Sequence, residues 1–445
     1  MKLWGKGRSL DEKVEQFTIG KDREVDLKIA WFDVLGTMAH VQMLASIGLF
    51  TSAELGSLMK ELKNILLSIE KGTYRIEEGV EDIHSQVEKD LSERLGETGE
   101  KIHAGRSRND QVLLDIRLFM RQEIMYIVNR VKSLFDVLIK QSEQHKSSYM
   151  PGYSHLQVAM PSSFGLWFGA YAESLTDDLT LLQSAYHLVN RNPLGSAAGY
   201  GTSIPVNRKM TSQLLGFDEL NFNSMYAQMS RIKVEKAVSN ALASIAATLA
   251  RFSTDACLFI SQHFDFIRLP DEFTTGSSIM PHKKNPDLFE TIRASCNKIQ
   301  GLPNEITLIS GNLPSGYFRD YQLLKERSIG IFEELSSNLE MTLRAVENMI
   351  INPNILEDEK YRYLFSVEEV NKRVMTGESF RDAYRKVADL IESGDFKPHK
   401  EINHIHEGSI GNLCNKEIQE RMERLITGFN FPAASAAIER LLSSQ

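Results

Sequence analysis

A chain of 445 residues, 42% hydrophobic and 25% charged, has the composition of an ordinary globular protein and the length for a large core divided over two or three domains. Its formal net charge of −8, with no basic stripe to offset it, argues against nucleic acid as a partner, so anion recognition must be local. No apolar run approaches the roughly 20 residues that cross a bilayer, the start MKLWGKGRSLDEK lacks the apolar core of a secretory signal, and the scattered Cys257, Cys296 and Cys414 suit reduced thiols. A cytoplasmic protein with no membrane partner is expected.

In chain order, the first 150 residues contain no proline, which predicts a helical region to about residue 104, with EDIHSQVE at 81–88 presenting His84. KIHAGRSRNDQ at 101–111 places Ser107, Arg108 and Asn109 just before an apolar stripe through Val112, Leu118, Met125, Val128, Val131, Phe135 and Leu138. A helix starting there would turn free N–H groups toward an anion. MPGYSHLQ at 150–157 presents Ser154 and His155 after a Pro-Gly turn. Val234, Val238, Ala241, Ile245, Leu249, Phe252, Ala256 and Phe259 then step by three or four without a break, one sustained helical stripe. Such helices, roughly 35 to 50 Å long at about 1.5 Å per residue, must bundle.

GSSIMPHKKNPD at 276–287 interrupts the helical pattern. Gly276 permits unusual torsions and Pro281 and Pro286 deny a helix, so a shaped loop should display Ser277, Ser278, Lys283, Lys284 and Asn285 to a carboxylate. YFRDYQLLK follows at 317–325, and an Asn-Pro-Asn turn at 352–354 closes the long-helix region. Strand-like alternation is hard to find. The fold expected is all-α with three helical parts: 1–104, a central bundle of long helices at 105–355, and 356–445. No metal or cofactor is expected: His404 and His406 lack further ligands, and neither a phosphate loop nor a dinucleotide fingerprint occurs.

These motifs, in this order, resemble the fumarase/aspartase superfamily, whose signature loop is similar to GSSxMPxKxNP. GRSRNDQ, MPGYSHLQ and NPLGS at 192–196 resemble its argininosuccinate lyase branch. The resemblance runs from about Leu3 to about residue 400. It implies reversible elimination of fumarate from argininosuccinate in arginine biosynthesis, and a homotetramer built on a twenty-helix core with each active site shared between subunits. It also implies roles. Ser277 would be the general base, Lys283 and Asn285 would hold the carboxylate that gains charge, and His155 paired with Glu290 would serve the leaving group. His84, Ser107, Arg108, Asn109, Ser154, Tyr317, Gln322 and Lys325 would bind substrate. A serine hydroxyl is a poor base at neutral pH, so this chemistry requires surroundings that stabilise the alkoxide.

The chain departs from the branch in places. His282 stands where glutamine is usual, as in adenylosuccinate lyases, so an adenylosuccinate lyase-like enzyme is an alternative. Ser154 replaces a threonine. YAQMSRIKVE at 226–235 replaces a segment similar to DAVSDRDF, leaving Arg231 without its acidic neighbours. Leu323 and Leu324 replace an acidic pair, and TIGKDREVD at 18–26 replaces Asn-Ala-Ser-Ile, so the usual substrate-contacting serine has no counterpart that can be placed. A catalytically silent crystallin-like structural protein is the alternative of another class.

Overall fold

Both apolar stripes become helices of matching length. In the computed structural model, which describes residues 11–444, the eight positions from Val234 to Phe259 are all buried along one 37-residue helix. The stripe beginning at Val112 lies on another of 37 residues, with Met125 half-buried and the rest buried. The helices are α1 (Glu12–Ile19), α2 (Asp22–Ser46), α3 (Ser52–Glu70), α4 (Ile83–Leu95), α5 (Glu97–Glu100), α6 (Arg108–Gln144), α7 (Phe164–Val189) and α8 (Arg208–Leu215). They continue as α9 (Ser224–Ile260), α10 (Asp287–Ile299), α11 (Leu302–Ile309), α12 (Tyr321–Glu347), α13 (Ser366–Met375), α14 (Phe380–Glu392), α15 (Asn415–Gly428) and α16 (Phe431–Ser443). The first ten residues of the N-terminal part lie outside the described residues.

Five strokes of helix make the bundle. At the start of α7, a Cβ added to Gly165 would lie 2.6 Å from Lys146 Cα and 2.7 Å from Ser142 O, while Arg117 of α6 donates to Leu188 O near the end of α7 at 3.0 Å. The two helices are therefore antiparallel. Trp167 of α7 stacks on Phe252 and meets Phe259 of α9, so α9 runs parallel to α6. Phe252 also meets Phe289, which starts α10 running back down the bundle. Arg231 donates to Tyr321 O at 2.8 Å and Gln141 to Val346 O at 3.2 Å, so α12 rises alongside α6 and α9. By length and composition α9 could cross a membrane; its apolar stripe instead packs on α7, α10, α11 and α12.

One apolar cluster reaches from Ile29 to Leu441. In the last part of the chain, α15 and α16 return to this cluster: Asn415 bonds Ser142 of α6, and Phe429 and Phe431 pack on Tyr186 of α7. A second, small cluster holds Val370, Ala383, Val387 and Phe396 around α13 and α14.

Strands do occur within this helical fold. β1 (Tyr149–Ser154) and β2 (Gln157–Ser163) form an antiparallel hairpin in which Pro151 faces Pro161. Proline is tolerated because a two-stranded ribbon consists only of edges. Ser154 pairs with Gln157, so His155 and Leu156 are the whole turn, at φ 55 and φ 60. Two positive φ values are the type I′ pattern usually filled by Asn-Gly, and here they fall on a histidine and a leucine. Two-residue pairs β3 (Arg191–Asn192) with β4 (Glu219–Leu220), and β5 (Ile267–Arg268) with β6 (Ile350–Ile351), pin connections at the bundle ends.

Candidate active site

Four helix N-termini, those of α2, α4, α6 and α12, meet around a cleft of about 260 Å³. A helix N-terminus carries partial positive charge, which favours anions. His84, Arg108, Asn109, Tyr317, Gln322 and Lys325, all expected to bind substrate, line it together. Asp22, Asp26, Glu81, Asp82 and Arg319 line it too, and sequence reasoning missed them as site residues. Each lies within or beside a motif already singled out, which was the available signal. A separate and more apolar cavity lined by Trp31, Phe32, Met125 and Phe431 contains none of the expected residues.

Charge in the cleft is closely paired. Arg108 meets Glu81 at 3.1 Å and Asp82 at 3.2 Å, and Arg319 meets Glu81 at 3.1 Å. Lys325 is bonded to Asp26 and lies 2.8 Å from Asp22. Burial alone would lower the Lys325 pKa, but Asp26 and Asp22 raise it. The Gln322 amide donates to Thr18 O at 2.8 Å and Ile19 O at 2.7 Å, tying the end of α1 to the start of α12.

Ser107 has a capping role. Its hydroxyl accepts from the Asn109 N–H, and Asp110 accepts from the Ser107 N–H at 2.8 Å. The other Asp110 oxygen accepts from the Gly195 and Ala197 N–H groups at 2.9 and 2.8 Å. GRSRNDQ and NPLGS are thereby one construction, and Asp110 itself answers part of the N-terminal charge of α6. Burial pushes its carboxyl up to about 6 against these donors. Arg231 is buried between Glu235 and Tyr321 O, where it fixes the start of α12 and does not line the cleft.

Behind the cleft, His84 Nδ1 lies 2.8 Å from Asp33 Oδ1 and 3.5 Å from Asp115 Oδ2, all three side chains buried. Burial alone would lower the imidazole pKa; the charge and hydrogen bond of Asp33, with Asp115 and Asp82, raise it to about 9. Asp115 is itself raised, by burial and by the charge of Asp33. Ligand atoms of this trio lie within 4.8 Å of one another. The 2.8 Å contact nevertheless has hydrogen-bond length, and Arg106 contributes positive charge beside the acids. The chemistry fits an imidazolium held by the Asp33 carboxylate, with Nε2–H as the ring's remaining donor.

At the opposite end of the bundle stand the other expected residues. The Thr275–Asn285 bridge closes the neck of the signature loop. Inside it, Ser277 Oγ accepts the Ile279 and Met280 N–H groups at 3.3 and 3.1 Å, two donors positioned to stabilise negative charge on that oxygen. Lys284 is paired with Asp271, whereas among the described residues the exposed Lys283 ammonium has no ion-pair partner. The Asn285 amide donates to Gly276 O and Thr275 Oγ1. Glu290 projects from the first turn of α10, where the helix dipole favours a carboxylate. Ser154 and His155 are exposed at the hairpin tip, and among the described residues no hydrogen bond or ion pair joins His155 to Glu290 within one chain.

The two groups are far apart. Tyr321 lies beside Arg231 on α9, while the signature loop follows the Phe259 end of the same helix. Twenty-eight residues at about 1.5 Å each separate those ends by about 42 Å. One chain therefore unites the cleft residues and leaves Ser277, Lys283, Asn285, Glu290, Ser154 and His155 at the far end.

A five-stroke helical bundle bearing these two groups of polar side chains defines a class of lyases, and a family profile described as Lyase matches residues 7–301. The chain belongs to this lyase family, within the fumarase/aspartase superfamily. It is 59% identical over 441 residues to the argininosuccinate lyase of Parabacteroides distasonis and 58% identical to that of Bacteroides fragilis, covering 99% of both chains in each case. A solved structure of EDDS lyase in complex with formate superposes with a TM-score of 0.75 at 22% identity, over 98% of this chain and 95% of that one. That likeness bears on the fold.

Proposed function

We infer that the chain catalyses the reversible β-elimination of argininosuccinate to arginine and fumarate, as a step of arginine biosynthesis in the cytoplasm. What carries this reading is a cleft suited to an amino-acid substrate together with an intact Ser277 loop, in a chain 59% identical to a relative named argininosuccinate lyase. Adenylosuccinate remains the comparison substrate because of His282.

Elimination requires removal of a weakly acidic C–H proton beside a carboxylate, which builds a doubly charged aci-carboxylate. Ser277 would take the proton, its alkoxide stabilised by the two loop N–H groups and by Lys283. Lys283 and Asn285 would face the carboxylate that gains charge, and each donor so aimed contributes about 2.7 to 4 kcal/mol. His155, oriented by Glu290, would deliver the proton needed by the departing guanidinium nitrogen. Ser154 would bind beside it.

Because the cleft and the loop lie at opposite ends of one chain, a complete site needs further copies. We propose a homotetramer in which antiparallel packing of bundles brings the cleft of one chain to the hairpin and loop of others. The hairpin and loop tips, with Leu156 77% exposed and Ile279 83% exposed, are apolar surfaces such packing would cover. The division 1–104, 105–355 and 356–445 is retained as the proposed domain organisation. The test is ultraviolet absorbance of fumarate with the purified protein and either substrate. Release from argininosuccinate and none from adenylosuccinate is expected; the reverse preference, or no release from either, overturns the reading.

A further inference from the structure

On the reading just given, the arginine half of the substrate brings an α-carboxylate and an α-ammonium, and the cleft must answer both. Lysine has three N–H donors. Asp26 and Asp22 occupy two on Lys325, leaving a third for the carboxylate, with Asn109 and Tyr317 nearby. The acceptors are mostly engaged. Glu81 holds Arg108 and Arg319, Asp82 holds Arg108 and Ser85, and the second oxygen of Asp26 accepts the Ile83 N–H at 3.1 Å.

Asp22 differs. Its Oδ1 meets Lys325 Nζ at 2.8 Å, its side chain is 17% exposed on the cleft, and among the described residues Oδ2 accepts no hydrogen bond. Its placement is built by the fold. Gln322 fixes Thr18 and Ile19, Gly20 turns the chain at φ 54 and ψ −126, and Asp22 opens α2 immediately afterwards. Thus the segment in which the usual serine could not be placed delivers a carboxylate to the cleft.

We propose that Asp22 Oδ2 accepts from the α-ammonium of the arginine half, so that Asp22 and Lys325 together read the zwitterionic end of the substrate. Asp22 is a specificity-determining residue on this account, and the cleft discriminates against ligands that keep the carboxylate and guanidinium but lack the ammonium.

The test compares L-arginine with 5-guanidinopentanoate, which lacks only the ammonium, as inhibitors of fumarate release by the full-length protein. Wild type should favour arginine by about 10- to 100-fold, the range of a hydrogen bond to a charged group. Asp22→Asn should bring that ratio near one while leaving inhibition by 5-guanidinopentanoate close to wild type; Asp22→Glu should keep much of the preference. Equal weakening of both inhibitors in Asp22→Asn would reduce Asp22 to a neutraliser of Lys325 and overturn the proposal. So would a wild type indifferent to the ammonium, a result that needs no variant to fold. Failure of wild type to release fumarate would instead sink the proposed reaction, and this inference with it.

Discussion

Asp33→Asn is the perturbation that most directly tests the electrostatics behind the cleft. His84 is buried and would by burial alone stay neutral, yet Asp33, 2.8 Å from Nδ1, helps raise its pKa from 6.5 to about 9. That difference corresponds to about 3 kcal/mol of folding free energy. The sign follows from proton binding. A pKa raised in the folded state contributes stability fully present below about pH 6.5 and lost as pH rises through about 9. Asp115 works in the same sense, because a carboxyl raised by burial takes up its proton in the folded state and loses stability as pH climbs above the ordinary carboxylate range. The asparagine keeps the size of Asp33 and removes the charge, so the buried imidazole should become neutral and the His84 part of the pH slope should vanish. Urea midpoints would be measured from about pH 6 to about pH 9.5 at one protein concentration, since oligomer stability depends on concentration. Wild type should fall by about 3 kcal/mol across that window and Asp33→Asn by much less. Parallel curves for the two proteins would refute an imidazolium held by Asp33.

If sites are shared between copies, mixing inactive Ser277→Ala with inactive His155→Asn chains should restore part of the activity, provided these residues reach one site from different subunits, and sedimentation should give about four times 50.4 kDa; a fully active monomer would refute the shared site. Gly165→Ala should destabilise the fold by about 1 to 3 kcal/mol, because its Cβ would lie 2.6 Å from Lys146 Cα and 2.7 Å from Ser142 O, backbone atoms that cannot swing aside. An unchanged denaturation midpoint in that variant would show that α6 and α7 separate there more easily than the packing implies.

What was legible in the sequence was whatever repeats locally. The stripe from Val234 to Phe259 specifies a helix because period and burial agree at each step, and the same holds less cleanly from Val112. The hairpin carrying His155 was not legible. Pro151 and Pro161 speak against strand, and its turn uses histidine and leucine at positive φ where Asn-Gly would have announced it. Such torsions on non-glycine residues cost about 1 to 3 kcal/mol each and persist where surrounding structure enforces them, here with Tyr153 packed on Phe264 and Phe266. The acidic lining of the cleft was hidden for another reason. Asp22 and Asp26 lie about 300 residues from Lys325 in the chain, and nothing in TIGKDREVD indicates that Gln322 will anchor the preceding turn. Arg231 shows the converse: with its acidic neighbours gone it still has a carboxylate one turn on, Glu235, and bonding to that residue and to Tyr321 O directs it into the protein interior. Motifs thus single out candidate side chains, while the pairing among distant charges decides which of them faces the cleft. The cleft's selectivity should therefore follow Asp22 and Lys325 more closely than any residue of the signature loop.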